Sequence, residues 1–570
     1  MRVSSIEADA TSSPNHLSLS KQFSGKMPNE YCSPGNNFSA MNSRISRREA
    51  LRDLSALFAI PLIRWPDRLS DPLAGTIVEY QAGRARRDWS AAQVTKEALD
   101  RGHAWNGTLH AIDLWSATAM DDARASDARA RRGALRGPLD GVPVFAKSIY
   151  DMNGLPTTGS NAEWARLFPD AVGRDSIEVA RMRAAGAIVL GKTAADDFAY
   201  HGNGTSSLTG QVRNPYDTTG TKTPGGSSAG SAVSVACGIA FAALGTDDGG
   251  SNRIPAQFCG IVGMKPTFGL VPRTGVIPTW PYLDTHGPLA RHVADAALLL
   301  DAIAGPDSSD GLALLAPRRR GTLAHLRDDA LHNTRLGLVE AHVPRAQMTA
   351  ESLSVFDRAV ADLKSAGAIV ESFAPTVTRV NVRSLFAEAA KARGDVPVNH
   401  NSPAPTANAL FRYFGTHGGD ARRDVERGLA AYQAFYDVLP KEWAEMSKLI
   451  TQPYESDPAS VSFARSRAAV TARLAHEFYA QRIEAMIYPT MPFPAPRAVD
   501  PWPDIRTTLG YGNWLGLPEV SVPTGLGADG MPAGNISFVG LPGSDARLLA
   551  LAHSYERRSK RFVAPPVAVK

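Results

Sequence analysis

Short apolar segments that alternate with helical segments constrain the fold of this 570-residue chain more than any other feature of its sequence. Val142–Ala146, Ala187–Leu190 and Ile239–Leu244 lack the apolar–polar alternation of a strand that has one face in water. Such strands, when helices separate them, are typical of a sheet that is covered on both faces. The sequence therefore predicts an α/β fold: a single large domain with a mixed, largely parallel central β-sheet and helices on both faces. Three more strand-like segments in residues 485–539 are expected to join the same sheet.

Two glycine-rich loops follow these elements, and each contains a serine between glycines. The first is Thr223-Pro-Gly-Gly-Ser-Ser-Ala-Gly-Ser231, and the second is Gly245-Thr-Asp-Asp-Gly-Gly-Ser-Asn-Arg253. Glycine tolerates tight or left-handed backbone geometry, so backbone N–H groups in such loops can come close to a ligand. Ser227 and Ser251 are therefore candidate nucleophiles.

Several chemistries fit serines in glycine-rich loops. Gly226–Gly230 matches the G-x-S-x-G pattern of a nucleophile elbow, with Ser228 at its centre, which would make the protein an esterase of the α/β-hydrolase type. That mechanism needs a downstream histidine, and His553 lies in the predicted last helix without a catalytic context. Neither loop has the form of a phosphate-binding loop, and the histidines lack the spacing of metal ligands. No cofactor and no metal are expected.

A serine activated by lysine is the other candidate chemistry. A serine hydroxyl needs a base within hydrogen-bond reach. Lysine can be that base only when it is neutral, and burial favours the neutral form by lowering its pKa. Lys147 directly follows the apolar strand Val142–Ala146 and is the candidate base. A second serine can relay the proton when the lysine does not reach the nucleophile.

A series of further motifs appears in one order along most of the chain, and with them the chain resembles the amidase signature family. The motifs are Leu139-Asp-Gly-Val-Pro-Val-Phe-Ala-Lys147, Gly154-Leu-Pro-Thr-Thr158, Gly191-Lys-Thr193, Asn214-Pro215, Gly225-Gly-Ser-Ser228, Gly245-Thr-Asp247, Gly249-Gly-Ser-Asn-Arg-Ile-Pro-Ala256, Phe258-Cys-Gly260, Gly263-Met-Lys-Pro-Thr267, Gly287-Pro-Leu-Ala-Arg291 and Leu549-Ala-Leu-Ala-His-Ser-Tyr-Glu556.

The resemblance implies a Ser–Ser–Lys triad. Ser251 would be the nucleophile, Ser227 the bridging serine and Lys147 the base. It also implies a cis peptide bond between Gly226 and Ser227, a conformation that is rare outside proline.

The resemblance also implies the roles of residues around the triad. The backbone N–H groups of Asp248, Gly249 and Gly250 would form the oxyanion hole. Ser228, Asp247 and Arg253 are expected to support the loops. The chain departs from the family pattern at Asp248, where the family usually carries Thr, Ser or an apolar residue, and at the Ser-Ile pair that follows Lys147.

The implied function is hydrolysis of a carboxylic amide C–N bond, of the linear amide type, to an acid and ammonia or an amine through an acyl-enzyme. The alternative within the same family is an A-type component of a glutamyl-tRNA amidotransferase. The expected partner is a small-molecule amide, with no nucleic acid, and the oligomeric state is open between monomer and homodimer. A variable helical region, about residues 306–500, is expected to set the substrate.

The N-terminal residues are predicted to lie outside the catalytic domain of residues 71–566. Residues 1–40 have the composition of a disordered tail. In residues 41–70, a twin arginine precedes a short apolar segment, as in a twin-arginine export signal, and an ordinary amphipathic helix is the alternative. The protein is accordingly expected to be exported (periplasmic or secreted) or, without a signal, cytoplasmic.

The remaining composition argues against other classes of protein. No apolar run reaches the roughly 18 residues of a membrane span. Cys237 and Cys259 lie among small and apolar residues and are predicted to be buried rather than to bind metal. The arginine clusters at 84–87, 129–132 and 318–320 are predicted to be solvated faces, because no nucleic-acid-binding motif accompanies them.

Overall fold

The computed structural model describes residues 69–217, 219–313, 321–397, 403–435, 457–500 and 509–566. The predicted tail of residues 1–40, nearly all of the predicted export segment 41–70 and the arginine cluster 318–320 lie outside these ranges. The domain boundaries and the export signal therefore stay predictions.

A large β-sheet forms the centre of the described chain. Its eleven strands are in the order β1-β3-β2-β6-β8-β7-β12-β13-β11-β9-β10, and β4 and β5 form a separate small ribbon. The strands are β1 (Ile112–Trp115), β2 (Pro143–Lys147), β3 (Ile188–Thr193), β4 (Thr205–Ser206), β5 (Gly210–Gln211), β6 (Ala242–Thr246), β7 (Val262–Lys265), β8 (His286–Ala290), β9 (Arg335–Leu338), β10 (Ile369–Ser372), β11 (Ala485–Pro489), β12 (Glu519–Leu526) and β13 (Pro532–Val539).

The predicted α/β fold with a mixed sheet is confirmed, and the C-terminal strands β11, β12 and β13 do join that sheet. Parallel pairing occurs in two blocks, β2 with β3 and β6, and β9 with β10 and β11. The other six neighbouring pairs are antiparallel. Parallel pairing is thus not the prevailing mode in the described sheet, contrary to the expectation of a largely parallel one.

Helices cover the sheet, and consecutive residues of its central strands are buried. All residues of β2, β3 and β6 are buried, so side chains on both faces of these strands are covered. The helices are α1 (Ile77–Arg86), α2 (Ala91–Leu109), α3 (Ala119–Arg131), α4 (Ala162–Leu167), α5 (Ile177–Ala184), α6 (Ala229–Ala236), α7 (Arg253–Phe258), α8 (Val293–Ile303), α9 (Thr322–His325), α10 (Ala350–Ser365), α11 (Val382–Arg393), α12 (Pro403–Gly415), α13 (Ala421–Phe435), α14 (Pro458–Gln481), α15 (Leu509–Leu515) and α16 (Asp545–Ser559).

Two smaller predictions about side chains have different outcomes. Cys237 and Cys259 are buried free cysteines, as predicted. Arg84 and Arg129 do not belong to a purely solvated face, because both hold the buried Asp140. The Arg129 guanidinium forms a salt bridge with its carboxylate at 2.7 Å, and Arg84 donates to its backbone carbonyl.

The parallel pairing of β2 with β6 positions the candidate site. Val144 and Phe145 pair with Ala242 and Ala243, so both strands run in the same direction and end at the same edge of the sheet. Lys147 is the last residue of β2, and Thr246 is the last residue of β6. Residues that follow the carboxyl ends of adjacent parallel strands share one crevice, where α/β proteins usually bind ligands.

Helix α6 passes so close to the neighbouring backbone that Gly230 has no room for a side chain. A Cβ atom there would lie 2.1 Å from the carbonyl oxygen of Ala111 and 2.6 Å from the backbone nitrogen of Ala194. Gly230→Ala is therefore expected to lower the free energy of unfolding by about 1–3 kcal/mol, although alanine favours helices. Chemical denaturation measures this change.

Gly107→Ala is the matched control in α2, because that position faces open space, and it is expected to raise the free energy of unfolding by about 0.4–1 kcal/mol. Equal effects of the two substitutions would contradict this packing argument.

Candidate active site

Lys147 lies at the end of β2 with its side chain completely buried. Its Nζ atom is 2.7 Å from Oγ of Ser227 and 2.9 Å from Oγ1 of Thr246. Burial lowers the pKa of Lys147 to about 8, although the nearby carboxylates, led by Asp248 and Asp196, act in the opposite direction. A substantial fraction of Lys147 is therefore neutral near pH 8, as a general base must be.

Ser227 follows a cis peptide bond, as the family resemblance implies, and is completely buried. Its carbonyl oxygen accepts a hydrogen bond from the Asp196 N–H at 3.2 Å. A side chain at position 226 would collide with the Asp196 carboxylate, because a Cβ atom on Gly226 would lie 2.3 Å from Asp196 Oδ1. Close packing thus requires the glycine beside the cis bond.

Ser251 lies in the second glycine loop, which contacts the first loop directly. The Ser228 N–H donates to the Ser251 carbonyl oxygen at 3.3 Å. Ser251 is 7% exposed, whereas Ser227 and Lys147 have no exposed surface. Of the three predicted triad residues, Ser251 is therefore the one that a substrate can reach.

The predicted oxyanion donors divide into two kinds. The Gly250 N–H donates to Oδ1 of Asp247 at 2.8 Å, so it is not available to an oxyanion and the expectation for Gly250 is not supported. In the described ranges, the N–H groups of Asp248 and Gly249 have no hydrogen-bond acceptor, and neither has the N–H of Ser251. A Cβ atom on Gly249 would meet open space, so this part of the loop is accessible.

Asp247 and Arg253 form a completely buried salt bridge under the loop, consistent with their predicted supporting role. Nε and Nη2 of Arg253 are 2.9 and 2.7 Å from the two carboxylate oxygens of Asp247. Burial alone would raise the pKa of Asp247, but the charge of Arg253 outweighs it and holds the pKa at about 2. Asp247 is thus ionised at neutral pH and fixes the loop through the N–H groups of Gly250 and Asn252.

Residues far along the chain complete this network. Nη1 of Arg253 is 2.6 Å from a carboxylate oxygen of Glu519 in β12, and Nη2 is 2.7 Å from Oδ1 of Asn513 in α15. Nδ2 of Asn513 donates to the Asp247 carbonyl oxygen at 2.8 Å. No motif in the sequence points to Asn513 or Glu519, whereas Thr246, the second partner of Lys147, lies in the Gly245-Thr-Asp247 motif.

Ser228 does not have the surroundings of an elbow nucleophile. Its side chain is completely buried, and its Oγ lies 3.3 Å from Oδ1 of Asn252 and accepts a hydrogen bond from the Thr246 N–H at 3.2 Å. His553, the downstream histidine that such a mechanism would use, lies near Asp328, with Nε2 at 3.3 Å from the carboxylate. The position of Ser228 is that of a loop support.

Comparison with known proteins gives one family over most of the chain. The family model described as Amidase matches residues 93–549. The A-type component of the glutamyl-tRNA(Gln) amidotransferase from Anaeromyxobacter sp. (strain K) is 34% identical over 504 residues, which cover 86% of this chain and 97% of the relative. The protein of the same name from Symbiobacterium thermophilum is 33% identical over 84% of this chain and 95% of its own length.

Some of the similar solved structures are instead named as a peptide amidase. The native peptide amidase from Stenotrophomonas maltophilia has a TM-score of 0.71 and 30% sequence identity, over 86% of this chain and 98% of its own. The curated relatives thus support the amidotransferase alternative more than a free-standing hydrolase, and their name mentions tRNA. They do not support the expectation of a small-molecule partner alone without nucleic acid. Within the described residues, no helix is both long and apolar enough to cross a membrane.

Proposed function

The chain belongs to the amidase signature family, and we propose that it cleaves a carboxylic amide C–N bond through an acyl-enzyme formed on Ser251. The observation that carries this proposal is the buried hydrogen bond between Lys147 Nζ and Ser227 Oγ, in a loop that contacts the loop of Ser251. A lysine with a lowered pKa in contact with a serine is an arrangement for moving a proton.

The proposed reaction begins with a proton transfer along the triad. Oγ of Ser251 attacks the amide carbonyl carbon and gives its proton to Oγ of Ser227, which passes its own proton to neutral Lys147. A neutral amine has two N–H groups and one lone pair, so Lys147 can donate to Thr246 and still accept from Ser227. The proton thereby moves to a group whose neutral form is favoured by burial.

The negative charge that develops on the carbonyl oxygen needs backbone donors. We assign this role to the N–H groups of Asp248 and Gly249, with that of Ser251 in place of Gly250. One such donor is typically worth about 2.7–4 kcal/mol of transition-state stabilisation. The C–N bond then breaks as the proton returns through Ser227 to the leaving nitrogen, and attack by water on the Ser251 ester releases the acid and restores the serine.

A second candidate function is that of an A-type amidotransferase component. The names and coverage of the curated relatives favour it, and it uses the same first half-reaction to release nitrogen from a donor amide. It differs in the partners, which would be other proteins of the complex and a tRNA-bound acceptor. A free-standing peptide-amidase type is favoured by the solved structures.

An amide panel assayed with the purified full chain tests the proposal and separates the two candidates. Aliphatic amides, aryl amides, peptide amides and free glutamine are each incubated with the chain, and released ammonia or amine is measured. Turnover of peptide or simple amides by the chain alone supports a free-standing amidase. Release confined to glutamine, and stimulated by co-purified partner proteins, supports the amidotransferase candidate. No release from any amide in either setting would contradict amide cleavage.

The pH dependence of kcat/KM should follow the ionisation of Lys147. Because only the neutral amine accepts a proton and its pKa is about 8, kcat/KM is expected to rise about tenfold per pH unit below pH 8 and to level off above it. Hydrolysis of one amide between pH 5.5 and 9.5 measures this profile, and unfolding curves at each pH serve as the control. A profile that stays flat from pH 6 to 9 would show that Lys147 is not the base.

A further inference from the structure

The carboxyl group of Asp248 has no cationic partner in a salt bridge within the described residues, although it is buried beside the nucleophile loop. Asp248 is 5% exposed, and no N–H or hydroxyl group of the described residues donates a hydrogen bond to its carboxyl oxygens, whose hydrogen-bonding neighbour is another carboxyl group, that of Asp284. The preceding residue, Asp247, is by contrast fully paired with Arg253. A buried polar group without a partner costs free energy, and a buried unpaired charge costs more. Such a group in a site is expected to serve a ligand.

A second carboxyl group faces Asp248. Thr246 pairs with His286 in the antiparallel ladder of β6 and β8, and the Asp247 N–H continues this register by donating to the Thr285 carbonyl oxygen at 2.7 Å. The next position in the same register brings Asp248 opposite Asp284. Like charges directly opposite each other on neighbouring strands repel. Burial and the charge of Asp284 together raise the pKa of Asp248 well above its ordinary value.

Asp284 lines a cavity of about 80 Å³, together with Arg273, Ile277, Pro281, Tyr413 and Thr416. The Asp284 carboxylate is held in place by the N–H groups of Thr279 and Trp280, at 3.2 and 2.7 Å. This volume is several times what one water molecule needs, and it is enough for a small charged group.

The cations near Asp248 and Asp284 interact with other groups. Arg273 forms a salt bridge with Asp310 at 2.8 Å, and Arg412, which also lines the cavity, has an interaction of its own. Lys147 is the nearby cation whose charge acts on Asp248, but its Nζ contacts Ser227 and Thr246, and the proposed reaction needs it neutral. In the described part of the chain, no salt bridge joins a cation to Asp248 or Asp284.

We propose that Asp248 and Asp284 form an acidic subsite that selects amides carrying an ammonium or guanidinium group close to the scissile carbonyl. This inference rests on the proposed function. There the Asp248 N–H donates to the oxygen of the scissile carbonyl, and that role places the Asp248 carboxyl group close to the same carbonyl. A cation within a few bonds of that carbonyl supplies positive charge beside the pair and thereby favours the ionised form of both carboxyl groups. The substrate class is then amides of amino acids or of other short amines.

A competing role for Asp248 is to adjust the proton affinity of Lys147. The negative charge of Asp248 raises the pKa of Lys147, against the larger effect of burial. Removal of that charge would alter the reaction of every amide equally. The subsite, by contrast, affects only cationic amides, so a ratio of two substrates separates the two roles.

Two isosteric pairs of amides give this ratio: alaninamide with isobutyramide, and 4-aminobutanamide with pentanamide. In each pair a methyl group replaces the ammonium group. The full chain is expected to hydrolyse one cationic amide at least ten times better in kcat/KM than its neutral isostere. Asp248→Asn and Asp284→Asn are each expected to lower this ratio at least tenfold.

The ratio of the two kcat/KM values does not depend on how much of a variant is folded. Asp357→Asn, at an exposed salt bridge with Arg345, is the matched control and should keep the ratio of the unchanged chain.

Binding to the Ser251→Ala chain makes the test independent of hydrolysis. Calorimetry should detect tighter binding of the cationic amide than of its isostere, and Asp248→Asn should abolish the difference. Lack of turnover with this binding preference intact would contradict the proposed function alone. The subsite would be overturned if the unchanged chain did not prefer the cationic amide. It would also be overturned if Asp248→Asn lowered kcat/KM equally for the cationic amide and its neutral isostere.

Discussion

Replacing Ser251 with alanine is expected to reduce kcat/KM for amide hydrolysis by at least about 10⁴-fold. The substitution removes the oxygen that is proposed to form the acyl-enzyme, and loss of a nucleophile in a serine hydrolase typically costs up to about 10⁶-fold. The measurement is ammonia release under conditions in which residual turnover is detectable. Ser251 is near the surface of the site, 7% exposed, so the shorter side chain is not expected to disturb folding, and thermal unfolding checks this.

Ser228→Ala is the matched control for Ser251→Ala. Both are serine-to-alanine changes in contacting glycine loops, but Ser228 is buried and bonded to Thr246 and Asn252. Loss of the Ser228 hydroxyl is expected to lower the free energy of unfolding by about 1–3 kcal/mol, because it leaves the buried Thr246 N–H without this acceptor. The rate of hydrolysis is expected to fall much less than in Ser251→Ala. Activity that survives in Ser251→Ala and disappears in Ser228→Ala would establish the elbow mechanism instead.

Arg253→Met is expected to lower the free energy of unfolding by about 3–5 kcal/mol, the largest loss of stability that we predict. Methionine keeps much of the volume but leaves two completely buried carboxylates, Asp247 and Glu519, without their cation. Breaking a buried ion pair at one partner typically costs this much, because the remaining charge stays buried. Chemical denaturation at neutral pH measures it.

Arg345→Met is the control for Arg253→Met. Arg345 forms a salt bridge with Asp357, but the two side chains are 44% and 49% exposed, and such pairs contribute less than about 1 kcal/mol. Similar losses of unfolding free energy in the two variants would mean that the buried salt bridges of Arg253 contribute no more to stability than an exposed pair does.

The position of the candidate site at the strand ends could be predicted from the sequence. Lys147 directly follows an apolar segment, and both serines lie in glycine-rich loops, so sequence position makes each a candidate, and the family resemblance implies that the three act together. The hydrogen bond of Lys147 with Ser227 agrees with that pattern. Local sequence is informative here because each residue lies within a few positions of the element that holds it.

Strand direction and distant partners could not be predicted in the same way. A strand-like segment such as β13 has the same composition whether it runs parallel or antiparallel to β12, so composition does not predict the prevalence of antiparallel pairs. Asn513 and Glu519 reach the loop of Asp247 across more than 260 residues, and no spacing rule connects them. The hydrogen bond from the Gly250 N–H to the Asp247 carboxylate likewise depends on loop geometry, which composition does not predict.

The link from Arg253 to Asn513 and Glu519 has a consequence for the order in which the protein is synthesised. Lys147, Ser227 and Ser251 leave the ribosome well before the segment that contains Asn513 and Glu519. Until that segment folds onto the nascent chain, Arg253 and Asp247 lack two of their partners, and contacts so distant in sequence form late. An incomplete chain therefore carries all three residues of the proposed triad without a braced loop around Ser251, and we expect the proposed amide cleavage to begin only when translation is nearly finished.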